Sequence, residues 1–261
     1  MAISLFVSSS SVPDEDAFKD DEATAQRAAA AIRVMTGALD SLGEAGSVTR
    51  APEATARVFP VAFGWFAAIV RNAQLVALAH ENGLRHESAA SARLVLQHAM
   101  ALQWLIEGGA PAVDAVEAEG RRNAFDLVKE LADTNWPLPA GFTLEPGDRP
   151  AKHGVLEHQF GNFKAMCALY RGGDQSYVPY RVQSGNAHPS HAGAMAYVIP
   201  GTRELSTTAV TDTYAYLIDT ARCAILAGHA FSPLLADASI ADAVVRAQTV
   251  LGMEFGLWKR I

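Results

Sequence analysis

Phe59-Pro-Val-Ala-Phe-Gly-Trp-Phe-Ala-Ala-Ile-Val-Arg-Asn-Ala-Gln-Leu-Val-Ala-Leu78 is apolar on nearly every side. A helix of that composition belongs in the centre of a bundle or at a subunit contact. The apolar stretch extends from about Ala54 to Asn82, with Pro60 marking a kink or the true start and Gly83 its end. Elsewhere alanine is so abundant, and β-branched or aromatic runs so few, that intrinsic preference leans to helix along most of the chain. The expectation is a single all-α domain, a bundle of seven or eight helices spanning 18–261.

Outward from that stretch the helices can be counted. Upstream, Ala23–Leu42 places Ile32, Met35, Leu39 and Leu42 at mixed three and four spacing, and Gly43 closes the pattern. Downstream, the short Asn82-Gly83-Leu84 turn sets Glu87–Glu107 antiparallel to the apolar helix, with Gly108-Gly109 as its stop. A helix over Pro111–Asp133 follows, carrying a charged outer face. Asn135 to Pro150 is a Pro/Gly-rich excursion long enough to act as a lid. Further helices are expected over Leu156–Arg171, ended by Gly172-Gly173-Asp174, and over Tyr177–Ala187, ended by Pro189. After a loop at 192–204 with a short extended piece at Ala196–Ile199, helices over Ser206–Phe231 and Ala238–Gly256 complete the count.

The net charge of −7, from 28 acidic and 21 basic residues, opposes long-range attraction to nucleic acid, so any RNA contact must be local. Part of the excess sits in Asp14, Glu15, Asp16, Asp20, Asp21 and Glu22, and residues 1–17 read as a disordered acidic arm. Cys167 and Cys223 read as two reduced, buried thiols. The N-terminus lacks the pattern of a secretory signal, and no segment is expected to reach a membrane span. A cytoplasmic protein with no membrane partner is the expectation.

The densest polar group is Tyr180-Arg-Val-Gln-Ser-Gly-Asn-Ala-His188-Pro-Ser-His191. On a helix Tyr180, Ser184 and His188 stand four apart and share one face. The spacing Arg-x(4 to 6)-His occurs as Arg181 to His188, but also as Arg93 to His98 and Arg222 to His229. Roughly 1.5 such matches arise by chance in a chain of this composition, so spacing alone decides nothing. Context separates them: Arg181 to His188 ends beside Pro189 and loops, whereas His98 and His229 lie in apolar helices and read as core or interface histidines.

Arg93 in an Ala/Leu-rich helix, followed much later by Tyr180-x-x-x-Ser184-x-x-x-His188-Pro-Ser, resembles helical bacterial families of unknown function that look distantly HEPN-like. The resemblance covers about residues 55–235. In those families an Arg-x-x-x-Glu pair occupies the earlier helix, and Gln97 stands here where the Glu would. The resemblance implies a homodimer acting on RNA in stress or phage defence, a metal-independent RNase needing no cofactor. Its site would gather Arg93, Tyr180, Arg181, Ser184 and His188. An imidazole would move the 2′-hydroxyl proton, guanidinium groups would neutralise the phosphoryl oxygens, and Ser184 and Tyr180 would hold His188 or touch phosphate. His188-Pro-Ser-His191 is an incomplete metal set. Two other readings stay open: a non-catalytic structural or interaction protein in which the same residues tie helices together, and a small-molecule-binding bundle gated by 135–150.

Overall fold

Alanine makes the close helix packing possible. In α1 (Glu22–Glu44) the buried face is Ala25, Ala28, Ala29, Ile32, Met35, Leu39 and Leu42, and Asp21 Oδ1 accepts the Thr24 N–H at 2.8 Å to satisfy the first turn. The computed structural model describes residues 19–44, 48–134, 136, 154–202, 204–210 and 213–261. The arm expected at 1–17 and, apart from exposed Trp136, the lid expected at 135–150 lie outside the described residues.

The elements that follow are α2 (Val58–Glu81), α3 (Ala89–Asp133), α4 (Val155–Gly161), α5 (Phe163–Cys167), α6 (Gly173–Ala187), α7 (His191–Met195), α8 (Ala215–Phe231) and α9 (Ser239–Leu251). The all-α class is as expected, and among the described residues backbone pairing outside helices is confined to isolated bridges. α8 packs against α1, α2, α3 and α9, while α6 lies on α3. The centre is aromatic: Phe66 of α2 stacks on Phe231 of α8 with ring centroids 4.7 Å apart. Gly228 lets α8 approach closely, since a Cβ there would stand 2.5 Å from Val244 Cγ2 and 2.7 Å from Met35 Cε.

α2 corrects one expectation, because by length and composition it could cross a membrane. Within the fold its Ala62, Phe66, Ile69, Val70, Ala73 and Val76 are fully buried in the core shared with α3 and α8. The helix begins at Val58 rather than Ala54. Thr55 Oγ1 accepts the Val58 N–H at 3.1 Å, and Pro60 sits in the first turn, where a missing N–H costs nothing.

The break expected at Gly108-Gly109 is present: Gly109 takes φ 61°, ψ −143°, outside the helical range, and the helices on its two sides are numbered together as α3. Other departures have local causes. The helix expected over Leu156–Arg171 is broken at Asn162, whose extended backbone ends α4 and whose Oδ1 accepts the Ala165 N–H at 3.3 Å to start α5. The segment before α8 is not helical from Ser206, because Ser206 Oγ turns to the Thr208 carbonyl at 2.6 Å. Asp20 then takes the Tyr214 N–H and the Thr213 hydroxyl at the start of α8. The loop expected at 192–204 contains α7, with Ser190 Oγ accepting the Gly193 N–H at 2.9 Å.

The last helix stops at Leu251 because Gly252 turns left-handed at φ 77°. The chain beyond it returns across α3. Gln103 donates to the Trp258 carbonyl at 2.7 Å and accepts the Trp258 N–H at 3.1 Å. Arg171 N–H donates to Lys259 O and Ile261 N–H to Leu169 O, both at 2.9 Å. This tail fixes the stretch between α5 and α6.

Three partly buried histidines share one bias. Burial lowers the pKa of His80, His98 and His229, and for His80, where Arg85 adds like charge and Asp20 opposes it, the value falls to about 4. Their folded pKa values lie below the unfolded value, so the unfolded chain binds more protons in acid. This contribution to stability is complete above about 6.5 and is lost as pH falls toward about 4. A melting-temperature series from pH 7.5 to 4.5 is expected to fall with acidification, and His80→Gln to flatten it. An unchanged slope in the variant would contradict the assignment to His80.

Candidate functional site

The first half of α6 is laid against α3 by one polar contact. Arg93 Nη2 donates to the Tyr180 hydroxyl at 2.8 Å, with the guanidinium carbon 4.8 Å from the centre of the Tyr180 ring. Arg93 Nε is buried without a hydrogen-bond partner, so the phenol is the group that satisfies this guanidinium. At the other end of α6, Asn186 donates to the Tyr216 hydroxyl of α8. Two aromatic hydroxyls thus hold the helix, at its middle and near its C-terminal end.

Of the five site residues expected from sequence, the structure joins Arg93 and Tyr180. Ser184 is occupied locally, its hydroxyl donating to the Tyr180 carbonyl at 2.7 Å. His188 leaves the helix: α6 ends at Ala187, and His188 takes φ −115°, ψ 157°, the extended backbone expected of a residue before proline. Its side chain and that of Arg181 are exposed. No hydrogen bond links His188 to Tyr180 or Ser184 among the described residues. The shared face of Tyr180, Ser184 and His188 therefore resolves into two sets: Tyr180 and Ser184 are used in packing, while Arg181 and His188 face solvent.

His98 and His229 stand elsewhere. His98 Nδ1 pairs with the Leu94 carbonyl at 3.0 Å beside Trp65, and His229 Nε2 with Gln248 Nε2 at 3.0 Å. Both are half-buried.

Protein-family models, curated proteins and solved structures give no match to this chain.

A cleft of about 320 Å³ opens beside Tyr180, lined by His158, Asn162, Phe163, Lys164 and Tyr177 as well. Its wall is rigid because neighbouring residues of α4 are anchored to α3. Gln159 accepts the Trp104 indole N–H at 3.0 Å, Glu157 pairs with buried Arg122 at 2.5 Å, and Phe160 stacks between Trp65 and Trp104. His158, between two anchored positions, is left exposed on the cleft side. Sequence reading treated this region as an uninterrupted helix and singled out none of these residues. The available signal was Gly161-Asn162, a helix-breaking pair followed by a capped turn.

Tyr180→Phe isolates the structural part of the site. It removes the acceptor of a partly buried guanidinium and is expected to cost about 1–3 kcal/mol. Urea unfolding measures this, and an unchanged midpoint with an unchanged slope would show that the bond contributes nothing.

Proposed function

We propose that the chain is a HEPN-like, metal-independent RNase whose reactive pair is Arg181 and His188, with Arg93, Tyr180 and Ser184 as positioning residues. The observation that carries this reading is the division of α6: the Arg93–Tyr180 bond fixes the helix, while Arg181 on it and His188 just beyond its end are both left exposed to solvent.

The imidazole of His188 takes the proton of a ribose 2′-hydroxyl. The freed oxygen attacks the adjacent phosphorus, the bond to the 5′-oxygen breaks, and that oxygen leaves with a proton returned by the imidazole. Arg181 neutralises charge gathering on the non-bridging oxygens. The products are a 2′,3′-cyclic phosphate and a 5′-hydroxyl. Action as a homodimer in stress or phage defence, which the resemblance implies, and the cytoplasmic location expected from the sequence form part of the proposal.

The test is incubation of a single-stranded oligoribonucleotide with the purified protein in EDTA. Cleavage with cyclic phosphate ends supports the reading; intact RNA, or cleavage only after a divalent ion is added, overturns it.

A second reading is favoured by the use of Tyr180, Ser184, Asn186 and Tyr216 in tying α6 to α3 and α8. On that reading the motif is structural and the chain is a non-catalytic interaction protein. RNA left intact together with a loss of stability in His188→Ala would favour it.

A further inference from the structure

The seating of α6 differs from that of the other long helices. α1, α2, α3, α8 and α9 each bury leucine, isoleucine, valine or phenylalanine side chains. α6 buries none of these: its buried residues are Gly173, Ser176 and Gln183, while Val178 and Val182 are 43% and 53% exposed. Ser176, Tyr180 and Gln183 follow one another at four and three positions, so they share the face that meets Arg93 of α3. On that face Ser176 Oγ and Gln183 Oε1 have no hydrogen-bond partner, and neither has Arg93 Nε on the α3 side. A buried polar atom left unpaired opposes the packed state, and its hydration returns when the helix lifts.

Two catches and the half-buried rings of Tyr177 and Tyr180 hold α6 down. The catches are Arg93 Nη2 to the Tyr180 hydroxyl at 2.8 Å and Asn186 to the Tyr216 hydroxyl of α8. Each end of the helix meets a change of backbone direction. Gly172 precedes it at φ 72°, and His188 follows it in extended backbone before Pro189. The pivot side is fixed. Cys167 and Tyr170 are buried, the Tyr170 hydroxyl donates to Glu107 at 3.0 Å, and the C-terminal tail bonds the main chain on either side of Tyr170, at Leu169 and Arg171. A firm pivot beside an arm that covers little apolar surface places α6 at the low-stability end of the molecule.

We infer that α6 is a flap that opens from α3 as one unit, about Gly172 and the His188-Pro189 step, far more often than the molecule unfolds. Detached, its 15 residues do not hold a helix in water, the more so because Pro179 leaves one helical bond unmade, so opening also frees the backbone amides. The movement bares the Arg93 guanidinium and carries Arg181 out of its closed position. It stems from packing alone, whatever reaction α6 serves.

Native-state hydrogen exchange on the full-length protein tests the flap. The amides of Val182 to Asn186 are expected to share one opening, with protection at least about a hundredfold below that of Cys223 to Leu226 in α8. Ile225→Val, a change in the buried face of α8, should lower protection there several-fold and leave α6 unmoved, because the flap opens without disturbing that core. A thiol introduced by Ser176→Cys gives a second reading. It should react with iodoacetamide at least about a hundredfold faster than the buried native thiols of Cys167 and Cys223, and Tyr180→Phe should speed it by about tenfold. Protection in α6 equal to that in α8, or a fall in both with Ile225→Val, overturns the inference. So does protection that climbs steadily inward from the helix ends, which is fraying, or an introduced thiol as slow as the two native ones.

Discussion

Gly173→Ala is expected to destabilise the protein by about 3 kcal/mol, a fall in melting temperature of roughly 10 °C for a chain of this size. A Cβ at that position would lie 1.7 Å from the Cys167 carbonyl oxygen and 2.5 Å from its carbon. The obstacle is backbone, so no rotamer change relieves it, and either the end of α5 or the start of α6 must shift. That junction is also held by the Gly173 N–H bond to Tyr170 O at 2.9 Å and by the returning C-terminal tail at Arg171. The loss therefore reaches the position of α6 and the Arg93–Tyr180 bond. Gly185→Ala in the same helix is the matched control. Nothing lies within 4 Å of its Cβ position, and the exchange is expected to leave stability unchanged or raise it by up to ~1 kcal/mol. Thermal melts of the two variants decide the matter, and equal effects would contradict the close approach at Gly173.

The second large effect is catalytic. His188→Ala is expected to slow RNA cleavage by roughly 10²–10⁴-fold, the range for loss of a positioned general acid and base. Because His188 is exposed beyond the end of α6, its removal should shift stability by no more than about 0.5 kcal/mol. Single-turnover rates and melts on one preparation check both halves. A fall in stability as large as that of Gly173→Ala would mean that the imidazole is part of the packing, and would sink its role in chemistry.

Local signals in the sequence locate the helices whose ends are set by local chemistry. The centre of α1 and the apolar body of α2 follow from side-chain periodicity and composition, and the bend at Gly109 from a glycine pair. Where a side chain competes with the helix for backbone bonds, as at Asn162 and Ser206, the pattern alone ran through the break. The periodic pattern also overran Gly252, where the chain turns back to reach residues far away in sequence.

The site was legible to a similar degree. Tyr180 and Arg93 stood out as a polar group and a cation in apolar helices, yet their pairing across 87 positions depends on how α6 docks on α3. The shared face of Tyr180 and His188 presumed an unbroken helix, and Pro189 with the extended backbone at His188 separates them. His158, Asn162, Lys164 and Tyr177 carry no spacing signal, because a helix break and a glycine turn stand between them.

The central claim is that a side chain at the end of α6 activates a ribose hydroxyl without metal. Its most direct test is an oligoribonucleotide carrying one 2′-deoxy residue at a bond that wild-type protein cuts in the all-ribose strand, incubated in EDTA. The account predicts that cleavage stops at that bond alone and continues at its neighbours. Cleavage at the deoxy position, or an all-ribose strand that remains whole, would contradict it.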